Sequence, residues 1–193
     1  MEMKRAVFLD RDGVINELII NNQTNDYEPP HIPKDLILFP YSIEILHVLQ
    51  EAQFELFLIS NQPDYAKGKT TLENLKKVHA KLDRMLRSEG IQFRDYYYCY
   101  HHPQGKMPEY SFECECRKPK PFFILKAAMH YSLDLSRSWM VGDRDSDIEC
   151  GEKAGTKTIM IDNPQSSKYR GSSQADFTAA NLKDALQIIL HKN

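Results

Sequence analysis

Short apolar runs alternate with longer amphipathic stretches along this chain of 193 residues. Runs rich in Val, Ile, Leu and Phe predict buried strands, and an apolar residue at every third or fourth position predicts a helix. Because strands and helices alternate, we predict a three-layer, Rossmann-like α/β fold, in which a parallel sheet has helices on both faces. The strands are predicted at residues 5–9, 54–59, 96–100, 139–141 and 158–161, and the helices at 42–52, 71–88, 122–131, 146–154 and 181–190.

Length and charge narrow the range of functions. The length suits one domain, so we assign residues 1–193 to a single domain. The formal net charge is -2 with both signs interspersed, which leaves no basic stripe for nucleic acid. No apolar run approaches the roughly 20 residues of a membrane span. We therefore expect a cytoplasmic monomer that binds neither nucleic acid nor membrane.

Two acidic motifs directly follow predicted strands. Residues 10–13 read Asp-Arg-Asp-Gly, and residues 142–147 read Gly-Asp-Arg-Asp-Ser-Asp. Parallel sheets bind ligands beyond the carboxyl ends of their strands, so both motifs should face one crevice. One carboxylate of Asp10 and Asp12 would attack phosphorus while the other handles protons. Together with Asp143 they would form a magnesium site, because Mg²⁺ prefers carboxylate oxygens and retains water.

One loop, at about residues 99–116, carries three cysteines and a histidine at the spacing of metal ligands. Three thiols and an imidazole suit a structural zinc site, and such a site is closed at four ligands, so the neighbouring His102 should lie outside it. In a reducing compartment clustered cysteines favour metal over disulfides. The alternative is that these cysteines have no common role. The predicted zinc ligands are Cys99, His101, Cys114 and Cys116.

Two further polar clusters should reach the same crevice. Ser60 and Asn61 follow the second strand, and Arg117 with Lys118 follows the zinc loop. Each cluster alone is weak, because an Asp-x-Asp pair after a strand is more often a helix cap and Ser60 could be an ordinary turn. All four clusters in the order that a phosphotransferase needs are unlikely to arise by chance. The stretches between them are too short for a large inserted cap domain, so we expect an open site.

At this point the chain resembles the haloacid dehalogenase (HAD) superfamily of phosphatases. Its four motifs match Asp10 with Asp12, Ser60, Lys118, and Asp143 with Asp147, and the resemblance covers essentially the whole chain. Residues 8–16 and 99–105 look like the group of heptose bisphosphate phosphatases and histidinol phosphatases, and the long zinc loop favours the heptose enzymes. The chain departs from them at residues 63–68, Pro-Asp-Tyr-Ala-Lys-Gly, where a small residue and glycine are usual.

The resemblance implies a magnesium-dependent phosphatase that works through an aspartyl-phosphate intermediate. Asp10 would be the nucleophile, and Asp12 would protonate the leaving oxygen and later activate water. Ser60 would bind the transferring oxygens, and Lys118 would balance charge on nucleophile and phosphate. The favoured substrate is a small sugar bisphosphate, D-glycero-D-manno-heptose 1,7-bisphosphate, which would lose its 7-phosphate.

The resemblance also implies the two cofactors, catalytic Mg²⁺ and structural Zn²⁺. Magnesium would be held by Asp10, the carbonyl oxygen of Asp12 and Asp143, while Asp147 would orient either the water around the metal or Lys118. The planar fork of an arginine suits a second phosphate or sugar oxygens. The predicted substrate-binding residues are Asn61 and Arg117.

Several alternatives stay open from the sequence. Histidinol phosphate is the nearest rival substrate. A catalytically silent scaffold that binds a phospho-ligand would keep the fold without turnover. A phosphatase of nucleic-acid ends is disfavoured by the charge pattern. Arg11 and Arg144 would either draw in phosphate or form surface ion pairs. Four histidines lack partners at metal-ligand spacing and are predicted to be surface or satisfied residues: His31, His47, His79 and His130.

Overall fold

The computed structural model describes residues 3–22 and 24–192, so residue 23 and both ends of the predicted domain lie outside the described residues. Within them, the alternation of strands and helices is as predicted. The strands are β1 (Ala6–Leu9), β2 (Ile19–Asn21), β3 (Asp26–Glu28), β4 (Glu55–Asn61), β5 (Phe93–Cys99), β6 (Trp139–Gly142), β7 (Lys157–Ile161) and β8 (Phe177–Ala179). The helices are α1 (Ser42–Glu51), α2 (Leu72–Ser88), α3 (Phe122–Tyr131), α4 (Asp145–Ala154) and α5 (Leu182–His191), and short 3-10 helices cover Pro33–Asp35, Pro108–Tyr110, Leu135–Arg137 and Pro164–Tyr169.

Six strands form one sheet in the order β5-β4-β1-β6-β7-β8. Every pair of neighbours in it is parallel. The order reverses at β1, which lies between β4 and β6, and such a reversal leaves a crevice at the carboxyl edge of a sheet. The predicted α/β fold is therefore confirmed, and the crevice lies where the acidic motifs leave the strands.

Two buried clusters, one on each face of the sheet, form the core. Along β1, Val7 and Leu9 pack into one cluster and Phe8 into the other, because successive strand residues point to opposite faces. The first cluster contains residues of α1, α2 and α5, such as Leu46 and Leu82. The second contains residues of α3 and α4, such as Ile124 and Cys150. This arrangement gives the three predicted layers.

A small antiparallel hairpin of β2 and β3 was not predicted. Its strands have three residues each, Ile-Ile-Asn and Asp-Tyr-Glu, so neither forms an apolar run. The hairpin lies between β1 and α1 in the chain, and no large cap domain is inserted among the described residues. The short edge strand β8 was missed for the same reason. In the described part of the chain no helix has the length and apolar character needed to cross a bilayer.

Candidate active site

The carboxyl ends of β1, β4 and β6 lie side by side at one edge of the sheet. Asp10 directly follows β1, Ser60 and Asn61 end β4, and Asp143 follows β6. The amide of Asp10 donates a 2.9 Å hydrogen bond to the carbonyl of Val141, which ties the first acidic turn to β6. The pairing of the strands thus brings together motifs that are up to 133 positions apart, between Asp10 and Asp143.

Lys118 joins the two acidic motifs. Its Nζ lies 2.7 Å from Asp10 Oδ1 and 2.7 Å from Asp147 Oδ1, and it also donates to the carbonyl of Ile59. Burial alone would lower the pKa of Lys118, but the charges of Asp10 and Asp147 outweigh it and raise the pKa above its ordinary value. The buried lysine is therefore cationic, in contact with the carboxylate predicted to be the nucleophile.

Asp147 also caps α4. Its Oδ2 accepts hydrogen bonds from the amides of Asp143 at 3.2 Å and Arg144 at 3.0 Å. Of the two roles predicted for Asp147, the structure therefore shows the contact with Lys118. The ligand atoms of Asp10, Asp143 and Asp147 all lie within 4.8 Å of one another, so these three carboxylates could hold a cation together.

The carboxylate of Asp143 fits a magnesium site. Both of its oxygens are buried without a hydrogen-bond partner among the described residues. Burial raises the pKa of Asp143 to about 8, and the charges of Asp10 and Asp147 act in the same direction while Arg144 opposes them. Gly13 packs so closely that an added Cβ would overlap the Asp143 carboxylate, and its φ of +85° favours glycine. A divalent cation would ligate these oxygens and favour the ionised carboxylate, so the donor set suits the predicted metal.

Asp12 is held by three polar side chains. Arg11 donates to it from Nε at 3.0 Å and from Nη2 at 2.8 Å, Asn16 donates at 3.0 Å, and Gln62 donates at 2.6 Å. Arg11 is fully buried. The prediction that Arg11 draws in phosphate or forms a surface ion pair is therefore wrong, because its guanidinium is used within the fold to position Asp12.

Ser60 and Asn61 have different surroundings. Ser60 is buried, and its hydroxyl accepts a 2.9 Å hydrogen bond from Gln62. Asn61 exchanges two 3.1 Å hydrogen bonds with the backbone of Lys118, one through each end of its amide. Asn61 therefore fixes the backbone of Lys118, and it also lines the cavity described next.

A cavity of about 350 Å³ opens above these residues. Of the predicted site residues, Ser60 and Asp143 are buried and do not form part of its wall. The hairpin and the segment before residue 170 supply wall residues that the sequence did not single out. The predicted residues in the wall are Asp10, Asp12, Asn61, Arg117, Lys118 and Asp147, and the unpredicted ones include Asp26, Glu28, Asp64, Lys67, Lys69 and Tyr169.

The predicted zinc ligands converge as expected for a four-coordinate metal. Cys114 Sγ lies 3.5 Å from Cys99 Sγ and 3.4 Å from Cys116 Sγ, and His101 Nδ1 lies 3.8 Å from Cys99 Sγ and 3.5 Å from Cys116 Sγ. A tetrahedron with Zn–S bonds of about 2.3 Å has edges of about 3.8 Å. The cluster could therefore bind zinc, with His102 outside the donor set.

The zinc loop also reaches the cavity. Arg117 Nη1 donates a 3.2 Å hydrogen bond to the carbonyl of His101, and Arg117 lines the cavity. The neighbouring Cys99, Cys114 and His101 lower the pKa of Cys116 below its ordinary value. A metal that fixes this loop would therefore also hold Arg117 at the wall of the cavity.

Comparison with known proteins agrees with this geometry. A family model described as HAD-hydrolase-like matches residues 115–185. The D-glycero-beta-D-manno-heptose-1,7-bisphosphate 7-phosphatases of Pasteurella multocida and Vibrio cholerae are each 32% identical over 188 residues, which cover 97% of this chain and 97% of theirs. The structure of D,D-heptose 1,7-bisphosphate phosphatase from B. bronchiseptica, complexed with magnesium and phosphate, has a TM-score of 0.78 at 24% identity and covers 98% of this chain and 99% of that chain.

The chain belongs to the HAD-like heptose-bisphosphate phosphatase family. It is therefore a phosphoric monoester hydrolase, and HAD phosphatases use Mg²⁺. Membership explains why the two acidic motifs and Lys118 meet at the sheet edge.

The prediction of surface or satisfied histidines is confirmed at His31 and holds only in part at His79. His31 is paired with Asp64, and the two are 33 residues apart in the chain, so no spacing rule links them. His79 is partly buried and stacks on Tyr98, with its Nδ1 3.0 Å from the hydroxyl of Tyr100 and its Nε2 without a partner among the described residues. Arg144, the other arginine of uncertain role, lines the cavity.

Proposed function

We propose that this protein is a magnesium-dependent phosphatase that removes the 7-phosphate from D-glycero-D-manno-heptose 1,7-bisphosphate. The observation that carries the proposal is the position of Asp10, which lines the cavity in contact with the cationic Lys118 and lies within ligand distance of the buried Asp143 carboxylate, whose oxygens accept no hydrogen bond among the described residues. The names of relatives that match nearly the whole chain support the choice of sugar.

In the first step, a carboxylate oxygen of Asp10 attacks phosphorus and the ester P–O bond breaks. Asp12 gives its proton to the departing sugar oxygen, which leaves as an alcohol. Lys118 neutralises the charge that the nucleophile and the phosphoryl group bring together. Ser60 and the backbone amides near Asn61 would hydrogen-bond the oxygens of the transferring group.

In the second step, Asp12 takes a proton from water, and that water attacks phosphorus. The bond between the Asp10 oxygen and phosphorus breaks, which releases inorganic phosphate, restores the carboxylate of Asp10 and leaves Asp12 protonated as it was at the start. The contacts of Asp12 with Arg11 and Gln62 hold its carboxyl group in a fixed orientation beside Asp10 for both transfers.

Two metals support these steps. Asp10, Asp143 and the carbonyl oxygen of Asp12 would hold Mg²⁺, which supplies charge neutralisation between two anions when it is bound. Cys99, His101, Cys114 and Cys116 would hold structural Zn²⁺ and thereby position Arg117.

Substrate recognition would use the cations of the cavity. Arg117, together with Lys67 and Arg144 in the same wall, suits the second phosphate of a bisphosphate. Asn61 would act in two ways: it holds the backbone of Lys118, and it would contact the substrate from the wall of the cavity. We place the enzyme in the cytoplasm, because a reducing compartment keeps clustered thiols available to metal, and we propose that it is a monomer.

The experiment measures phosphate release in the presence of Mg²⁺ from both anomers of heptose 1,7-bisphosphate, because relatives are named for each. Histidinol phosphate, other sugar phosphates and a 5′-phosphorylated duplex complete the panel, with Asp10→Asn as the blank. A preference for a heptose bisphosphate that Asp10→Asn abolishes is the expected result. Efficient release from histidinol phosphate instead would overturn the substrate, and no release from any compound would favour the silent scaffold.

A further inference from the structure

One wall of the cavity carries carboxylates that the proposed reaction does not use. Asp64 and Glu28 both line the cavity and are only 4% and 6% exposed. Asp64 lies in the loop after β4, and Glu28 ends β3, so two separate segments of the chain bring these groups to one wall. Buried carboxylates are costly unless they are paired, so their presence beside a site for phosphate esters calls for specific partners.

Each of these carboxylates has a basic partner. His31 Nε2 lies 2.9 Å from Asp64 Oδ2 and 3.8 Å from Glu28 Oε2, and Lys69 forms an ion pair with Glu28. The hydrogen bond to Asp64 raises the pKa of His31 against the effect of burial. Asn21 adds a 3.1 Å hydrogen bond to Glu28 Oε2. The negative charge of the wall is therefore largely compensated, so it need not repel a phosphate ester nearby.

The backbone holds Asp64 in place as well. The carbonyl of Asp64 accepts a 2.8 Å hydrogen bond from the amide of Lys69, and the carbonyl of Pro63 accepts one of 2.9 Å from Lys67. This turn presents Asp64, Lys67 and Lys69 to the cavity together. The carboxylate is thus fixed by its own loop and by the imidazole of His31, which is the rigidity that a selective contact needs.

The chemistry of this wall suits hydroxyl groups. A carboxylate has about four acceptor positions, so one that already accepts from a histidine or lysine can accept further hydrogen bonds. We propose that Asp64 and Glu28, held by His31 and Lys69, accept hydrogen bonds from the hydroxyl groups of the substrate and thereby select polyhydroxylated phosphate esters. This inference rests on the proposed function and specifies which residues read the sugar. An ester without hydroxyl groups would leave the remaining acceptor positions of these carboxylates without a partner.

The test compares kcat/KM for heptose 1,7-bisphosphate with kcat/KM for p-nitrophenyl phosphate, which has no sugar hydroxyl. Asp64→Asn is expected to reduce the ratio of the two values by about tenfold to hundredfold, as for the loss of a hydrogen bond to a charged group. The loss should appear mainly in KM for the sugar. Asp83→Asn, which alters a surface ion pair with Arg87 on α2, is the matched control.

Glu28→Gln is measured in the same way, so that the inference stays testable if Asp64→Asn does not fold. A ratio equal to that of the wild type in the folded variants would overturn the hydroxyl-binding wall and leave the proposed function standing. A wild-type enzyme that hydrolyses no sugar phosphate better than p-nitrophenyl phosphate would overturn both. If the wild type prefers a different sugar phosphate, the proposed substrate fails, and the ratio measured with that sugar still decides the inference.

Discussion

Lys118 and Asp147 form a buried ion pair in which Lys118 Nζ lies 2.7 Å from Asp147 Oδ1. The two side chains are 2% and 1% exposed, so solvent does little to screen the interaction. Asp147 lies in the first turn of α4 and lines the cavity, while Lys118 directly follows the zinc loop in the chain. The pair therefore connects the residue that follows the zinc loop to the second acidic motif.

The substitution Asp147→Asn should destabilise the fold. It removes one charge of the pair but keeps an oxygen for the amides of Asp143 and Arg144, and Lys118 keeps Asp10 as a partner. We therefore expect a loss of about 2–3 kcal/mol in the free energy of unfolding, below the usual range for breaking a buried pair. Urea unfolding measures it. Glu149→Gln breaks a partly exposed pair with Lys153 in the same helix, and a loss as small as this control would argue against a stabilising role for the buried pair.

His79 should make the protein sensitive to acid. Its ring stacks on Tyr98 with centroids 3.5 Å apart, its Nδ1 lies 3.0 Å from the hydroxyl of Tyr100, and burial lowers its pKa to about 2. The unfolded chain would bind a proton there below a pH of about 6.5 that the folded chain does not bind. The stability from His79 is thus present above that pH and is lost as pH falls, by up to about 1.4 kcal/mol per pH unit.

Urea unfolding at several pH values between about 4 and 7 tests this expectation. His79→Phe keeps an aromatic ring against Tyr98 and removes the titrating group. It should therefore reduce the slope of the unfolding free energy against pH by up to about 1.4 kcal/mol per pH unit, the value for one proton. Tyr100→Phe removes the hydroxyl that contacts Nδ1 and keeps the imidazole, so it should lower stability while the slope persists. Equal slopes in the wild type and His79→Phe would show that His79 is not buried as a neutral ring.

The zinc loop should control substrate binding more than folding. We expect about one zinc per chain by atomic emission, as a four-donor site requires. Cys116→Ser should lose most of this zinc and raise KM about tenfold, because Arg117 would lose its fixed contact with the His101 carbonyl. Cys150→Ser is the matched control, since Cys150 is a buried thiol that contacts the carbonyl of Lys120 outside the cluster. The kinetic assays contain added Mg²⁺. A full zinc content in Cys116→Ser would contradict the assignment of Cys116 as a zinc ligand.

The sequence predicted those parts of the site that depend on strand order. Asp10 and Asp143 directly follow apolar strands, and a parallel sheet places such residues at one edge whatever their separation in the chain. The contact of His31 with Asp64 depends instead on the path of two loops, for which no periodicity exists. Arg11 was assigned to the surface or the cavity because charged residues are seldom fully buried. Its burial follows from partners in three dimensions, Asp12 and Gln62, that composition does not reveal.

Arg11 should affect turnover through Asp12 and leave substrate binding nearly intact. Its Nε and Nη2 both donate to Asp12, and lysine cannot reproduce this planar fork. If the proposed function holds, Arg11→Lys should lower kcat by about tenfold with little change in KM, since a misoriented general acid loses part of its contribution. Arg144→Lys, in the cavity wall, should instead raise KM. Steady-state kinetics of both variants tests this division of roles. If each variant changed kcat and KM in the same proportion, the division would be contradicted.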